Sequence, residues 1–155
     1  MNLSRAVCVL ALGVSVSTAL VGCAEPGQGW MGSPLKDTSW KLVTIESSDD
    51  AARQFVASKV DITMTLRASG DAFFLLGCEQ DTTDWRAKPA MLDTQGEIRF
   101  DAIELQASSC EPDLIVKRFV EDVPFLEGYV MIQNHLYLNT PSNEKIYGWR
   151  QMPLQ

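Results

Sequence analysis

The chain has 155 residues, with 13 Lys+Arg against 20 Asp+Glu for a formal net charge of −7. A chain this acidic is repelled by phosphate backbones and by anionic headgroups, so nucleic-acid binding and electrostatic docking onto anionic lipid are excluded as its organising function. Its length suits a single domain, and no charge run, low-complexity tract or internal repeat divides it.

Met1 to Ala6 is a short basic start whose only charged side chain is Arg5, and from Ala6 to Val21 no side chain is charged. Such a run falls short of the roughly 20 apolar residues of a comfortable membrane span. A basic start, an apolar core and small residues at the cut describe a secretory signal over residues 1–22. The run closes on Leu20-Val21-Gly22-Cys23, which resembles the bacterial lipoprotein signal. The resemblance implies cleavage before Cys23 and lipid on its thiol. Each buried methylene contributes roughly 0.8 kcal/mol, so one acyl chain anchors marginally while two or three hold firmly. The lipoprotein class carries three. Ala24, rather than aspartate, follows the cysteine, which implies the periplasmic face of the outer membrane. Loss of residues 1–22 removes one arginine and no acid, leaving a net charge of −8.

Residues 23–36 read as a tether. Ala24 to Lys36 holds three glycines and two prolines and favours no regular structure. A flexible chain of this length spans on the order of 20 Å. Trp30 and Met31 within it are expected to touch the headgroups or the domain. Folding is left to residues 37–155.

Trp40 to Glu46 alternates Trp40, Leu42 and Thr44 against Lys41, Val43 and Ile45, and predicts a first strand. Ser47 to Ser58 is polar and reads as a loop. Val60, Ile62, Met64 and Leu66 then alternate with Asp61, Thr63, Thr65 and Arg67, the pattern of a half-buried strand. Ala68 to Asp71 turns the chain. Ala72 to Cys78 is apolar on both faces and predicts a partner strand covered on both sides, so Val60 to Cys78 is a hairpin.

Glu79 to Asp84 reads as an acidic, threonine-rich loop. Clustered carboxylates suit calcium, but the spacing matches no calcium loop and glycine is absent, so a solvated loop is the expectation. A short strand at Ala90 to Asp93 and a turn at Gln95-Gly96 follow. Glu97 to Gln106 is strand-like, with Ile98 and Phe100 on one parity and Ile103 and Leu105 on the other, which predicts a bulge near Ala102.

One helix is expected, from about Pro112 to Asp122. Proline suits a first helical turn, and Asp113 lies near the positive end of the dipole. Val116, Phe119, Val120 and Val123 form an apolar stripe, and Pro124 stops the helix. The rest is strand: Gly128 to Gln133, Leu136 to Asn139 and Lys145 to Arg150. Asn134-His135 sits at a two-residue turn where asparagine tolerates positive φ. Roughly eight antiparallel strands and one helix (112–122) make a β-rich α+β domain, curled into a sheet or partly open barrel.

Cys8 leaves with the signal and Cys23 is taken by lipid, so Cys78 and Cys110 remain in an oxidising compartment where disulfides persist. A bond between them closes a 33-residue loop, which contributes roughly 3–4 kcal/mol through chain entropy. Two buried free thiols are the alternative, decided by geometry.

From Asp37 to Trp149 the sequence resembles the META domain family, which includes the HslJ-type heat-shock lipoproteins. The resemblance rests on Asp37-Thr38-Ser39-Trp40-Lys41-Leu42, on a strand ending Gly77-Cys78, on Trp85, and on Cys110 just before the helix. It continues through Phe119, Phe125, Tyr129-Val130 and Leu136-Tyr137-Leu138. Glu79 stands where the family has asparagine. Gln106 and Ser108-Ser109 replace its usual threonine, methionine and alanine. The family implies a small β-rich domain, often lipid-anchored, associated in some members with envelope stress and, through a likeness to secretin pilot lipoproteins, with secretion.

An enzyme needs a positioned acid, base or nucleophile. The sole histidine, His135, lies in a predicted turn, where a solvated role is the ordinary one. No nucleophile elbow, phosphate loop or zinc spacing is present. The expectation is therefore a non-catalytic envelope lipoprotein with no cofactor or metal. The membrane is held through Cys23, and a second envelope protein is bound along the helix and the groove beside it, with Trp85, Glu79 and Phe119 as candidate surface residues. Two alternatives stand beside it. One is an acyl chain or other apolar ligand inside a half-open barrel, with Trp40, Trp85 and Trp149 as lining or as core. The other is a hydrolase using Glu79, Asp81 and Asp84.

Overall fold

The structure, a computed structural model, describes residues 33–48, 54–55, 60–91, 93–105 and 111–153. The expected signal segment at residues 1–22, and Cys23, Ala24, Trp30, Met31 and Cys110, lie outside the described residues.

Among the described residues, nine strands and one α-helix follow in chain order: β1 Thr38–Ser47, β2 Gln54–Phe55, β3 Ile62–Leu66, β4 Asp71–Leu76, β5 Glu79–Pro89, β6 Gln95–Phe100, α1 Leu114–Asp122, β7 Gly128–Ile132, β8 His135–Asn139 and β9 Lys145–Met152. Every pairing is antiparallel, and β3 to β9 are joined in sequence order. β1 pairs with β3 on one edge and with β9 on the other, so eight strands close a ring. β2 extends from β1 beyond the end of β3, through Thr44 and Ile45. The domain is thus the expected β-rich α+β fold, and its barrel is fully closed. Closure removes the open edges that a curled sheet would expose.

Alternation decides which side chains fill the barrel. In β3, Ile62, Met64 and Leu66 are buried and Thr63 and Thr65 face outward, as the period-2 pattern predicts. In β4, Ala72, Phe74 and Leu76 are buried, while Leu75 is 36% exposed and the Arg67 guanidinium lies 5.8 Å from the centre of the Phe73 ring. β4 is therefore covered on one face only, because a barrel has no second layer outside it.

The expected acidic loop at Glu79 to Asp84 is instead the first half of β5. Glu79, Thr83, Trp85 and Ala87 are buried, with Gln80, Thr82, Asp84, Arg86 and Lys88 outside. The alternation is present, but at its N-terminal end polar residues occupy the inward positions. β6 ends at Phe100, so the change of parity before Ile103 comes from the end of the strand and not from a bulge near Ala102. The turn between β5 and β6 spans residues 90–94, with Ala90 N–H donating to Gln95 O at 2.8 Å. It replaces the strand expected at Ala90 to Asp93, and Gln95-Gly96 belongs to β6.

A bulge does occur in β1, where the register shifts between Leu42 and Thr44. It turns Ile45 toward Tyr147 and the core, reversing the parity expected from Trp40 and Leu42. The β7–β8 turn is Gln133-Asn134, one residue earlier than expected, and Gln133 carries the positive φ of 53°.

The barrel has two distinct ends. At the entry end the chain arrives at Ser33 and Leu35, both buried, with Leu35 part of the core. The packed domain thus begins before Asp37. Asp37, at φ 54°, turns the chain into β1, and its carboxylate accepts from Ala68 N–H at 2.9 Å. Thr38 Oγ1 donates to Leu35 O and accepts from Trp40 Nε1 at 2.7 Å. The turns at 67–70, 90–94 and 133–134 share this end. At the opposite, helix end, α1 lies across the barrel. Its Phe119 ring packs edge-on against Tyr147 and Trp149, at 5.4 and 5.5 Å between centres, and tilts on Phe74 at 5.9 Å. The interior between is one continuous cluster that includes Trp40, Leu42, Phe74, Trp85, Tyr129 and Trp149. Each large apolar side chain so buried contributes roughly 1.5–3 kcal/mol.

Candidate functional site

The helix forms because the stripe expected in the sequence exists and because both its ends are held. Asp113 is the N-cap, accepting from Ile115 N–H at 2.8 Å. Pro112 precedes the cap instead of entering the first turn. Val116 and Phe119 are buried, and Val123 is buried in the single 3₁₀ turn Val123–Phe125 that follows. Pro124 sits inside that turn, where its missing N–H removes no needed bond.

The outward face of the helix is polar except at its two limits. Leu114 and Phe125 are each 61% exposed. Arg118 and Glu121 lie between them at helical spacing. Phe125 forms one wall of a half-open cleft of about 230 Å³. The other walls are Asp122, Thr140, Pro141, Glu144 and Lys145. The floor is set by Asp122, whose carboxylate accepts from Lys145 Nζ at 2.6 and 2.9 Å and from the Tyr147 hydroxyl. Burial, and then this hydrogen bond and the Asp122 charge, push the Tyr147 phenol well above its ordinary range. Tyr147 is therefore a fixed neutral donor, unsuited to acting as a base.

The far wall is a rigid turn. Pro141–Asn143 is a 3₁₀ turn in which Ser142 and Asn143 have φ of 57° and 56°. Thr140 Oγ1 accepts from Lys145 N–H at 3.0 Å, and Thr140 N–H donates to Lys145 O at 3.1 Å. The cleft thus offers an exposed aromatic ring, the Glu144 carboxylate and a half-buried ammonium on a stiff frame, the kind of mixed surface that polypeptides recognise.

The residues named from the sequence as a candidate surface lie elsewhere. Phe119 is wholly buried, Trp85 is 5% exposed and Glu79 is 8% exposed. None of the three lines the cleft. Trp85 is fixed by donating from Nε1 to Arg67 O at 3.1 Å. Trp40, Trp85 and Trp149 are core residues. Asp81 uses its carboxylate structurally, accepting from Thr82 N–H at 2.8 Å and Glu104 N–H at 3.0 Å. His135 begins β8 and stacks on Tyr137 at 6.3 Å between ring centres, away from the cleft. Cys78 lies in the exposed β4–β5 turn. Nothing in the sequence brings Asp122, Phe125 and Lys145 together, because their meeting depends on α1 crossing the barrel to the start of β9. The one local signal was an unpaired acid at a helix C-terminus, where the dipole disfavours it.

Among the described residues no three His, Cys, Asp or Glu side chains gather as a metal site, and no helix is long and apolar enough to cross a membrane. No protein-family model matches the chain, and no curated protein matches it. Among solved structures, it is similar to a DUF4847 family protein from Bacteroides vulgatus, with a TM-score of 0.55 at 12% sequence identity. The likeness covers 79% of this chain and 96% of that one. At this identity it shows a shared fold.

Proposed function

We propose that this chain is a non-catalytic, lipid-anchored bacterial envelope protein that binds another envelope protein through the cleft beside α1. The observation that carries the binding reading is the pairing of exposed Phe125 with the Asp122–Lys145 frame on a helix whose outer face is otherwise polar. Exposed aromatics beside a fixed charged group are the usual anchors of protein interfaces. The lipid-anchor reading rests on the Leu20-Val21-Gly22-Cys23 signal, and membership of the META domain family on the sequence resemblance. The filled barrel interior weighs against an apolar ligand held within it, and the structural use of the Asp81 carboxylate against an acidic-loop hydrolase.

The pairing of Cys78 with Cys110 belongs to the same reading. Residues 101–105 run antiparallel beside β5: Asp101 N–H donates to Asp84 O, Thr83 Oγ1 to Ala102 O and Glu104 N–H to Asp81 Oδ2. That course leads toward the β4–β5 turn where Cys78 sits.

A photo-reactive amino acid placed at position 125 in intact cells tests the binding reading. A discrete adduct at 125, weakened by Glu144→Lys and absent with the probe at exposed Asp101, is expected. No adduct at 125, or equal adducts at both positions, would overturn it.

A further inference from the structure

We infer that the entry end of the barrel rests on the lipid leaflet that holds the anchor, with the β5–β6 turn as its apolar contact. The inference rests on the lipid-anchor reading above. Ala90 and Met91 open this turn, and exposed Asp93 and Thr94 close it. Met91 is fully exposed and Ala90 is exposed. A lone surface methionine is ordinary, but the adjoining strand β7 also presents Val130 and Ile132 at 38% and 56% exposure, so apolar side chains gather at this rim.

The turn is held firmly in place. Met131 N–H donates to Thr94 O at 2.6 Å, and Tyr129 Oη donates to Asp93 O at 3.3 Å. These bonds tie it to the end of β7, where Ile132 is 56% exposed on the outer surface. The next positions around this end are the β7–β8 turn and the C-terminal end of β9. Gln151 N–H donates to Asn134 O there, and Met152 pairs with Ser39 of β1. The apolar tip and the start of β1 therefore share one end of the barrel.

The chain length fixes the occupant. Ser33 is buried at this end, and ten residue steps separate it from Cys23. Ten steps cannot exceed about 36 Å even when fully extended. A lipid on Cys23 keeps this end facing the leaflet at high local concentration, so a small apolar contact is enough to hold it there.

The test uses the full chain, expressed in cells, extracted from membranes and reconstituted into phosphatidylcholine vesicles. An environment-sensitive fluorescent amino acid replaces Met91 or, as control, Glu121 on the exposed face of α1. Doxyl-labelled phosphatidylcholine supplies the quencher, and the mass of the N-terminal peptide reports the lipid. A probe seated at the acyl boundary should be quenched about twofold at position 91 and remain unchanged at 121. With lipid present, equal response at the two positions overturns the docking and leaves the anchor standing. An N-terminal peptide without lipid overturns both.

Discussion

Asp122, the last residue of α1, holds Lys145, the first residue of β9, with both carboxylate oxygens, at 2.9 and 2.6 Å. An acid at a helix C-terminus is ordinarily unfavourable by about 0.3–1 kcal/mol, and no basic residue in the last turn of α1 offsets it. The compensation comes from β9, through Lys145 and the Tyr147 hydroxyl. This cluster fastens the helix to the barrel and forms the floor of the cleft. Asp122→Ala leaves both donors without an acceptor and should lower stability by about 1–3 kcal/mol in urea denaturation. Asp122→Asn, which keeps an acceptor, should cost less. Equal stability of Asp122→Ala and the natural chain would show that the cluster does not hold the helix.

The Tyr147 phenol gives this account a pH signature. Burial and Asp122 raise its titration above the ordinary value of 10.0, so at high pH the folded chain retains a proton that the unfolded chain has lost. Stability contributed by this group is complete below about pH 10 and falls as pH rises above it. Tyr129, raised by burial and by the Asp93 charge, adds in the same direction. Tyr147→Phe should be less stable than the natural chain at neutral pH, and the difference should narrow in denaturation curves taken above pH 10. Parallel pH curves for the two chains would contradict the assignment.

Two buried tryptophans should respond differently to the same substitution. Trp40 Nε1 donates to Thr38 Oγ1 at 2.7 Å, whereas Trp149 Nε1 is buried with no hydrogen-bond partner among the described residues. Each change to phenylalanine removes comparable ring volume. Trp40→Phe also breaks a bond that fixes the chain entering β1, while Trp149→Phe relieves an unpaired donor. Thermal denaturation should place Trp149→Phe as the milder change, by about 1 kcal/mol or more.

What could be read from the sequence follows from how each element signals its buried face. β3 was legible because Ile62, Met64 and Leu66 alternate without interruption against threonines. The helix was legible because Val116, Phe119 and Val123 share one stripe. The first half of β5 reads as a loop in the sequence because Glu79 and Asp81 take inward positions near the barrel end, where burial is incomplete or hydrogen bonds to the backbone compensate. The bulge after Leu42 left no local mark, since the side chains on both parities of β1 include apolar residues. Closure of the barrel is a long-range property of β1 and β9. The cleft was illegible for the same reason: residues 122 and 145 meet only after every strand between β6 and β9 has been placed.

Closure itself can be tested at Gly148. A Cβ there would come within 2.3 Å of Thr44 Oγ1 across the β1–β9 pairing. Gly148→Ala should therefore cost about 1–3 kcal/mol through overpacking. Adding Thr44→Ala removes the clash, so the double variant should recover much of that loss. Strict additivity of the two changes would mean that β1 and β9 do not meet in this register.

In the function proposed above, lipid on Cys23 sets the orientation and compartment of everything that follows it. Incorporation of labelled palmitate, measured in parallel for the natural chain and for Cys23→Ser, tests it most directly. Label is expected in the natural chain, which sediments with membranes, and none in Cys23→Ser, which is released from them. An unlabelled natural chain, or a Cys23→Ser chain that still takes up label and sediments, would contradict it.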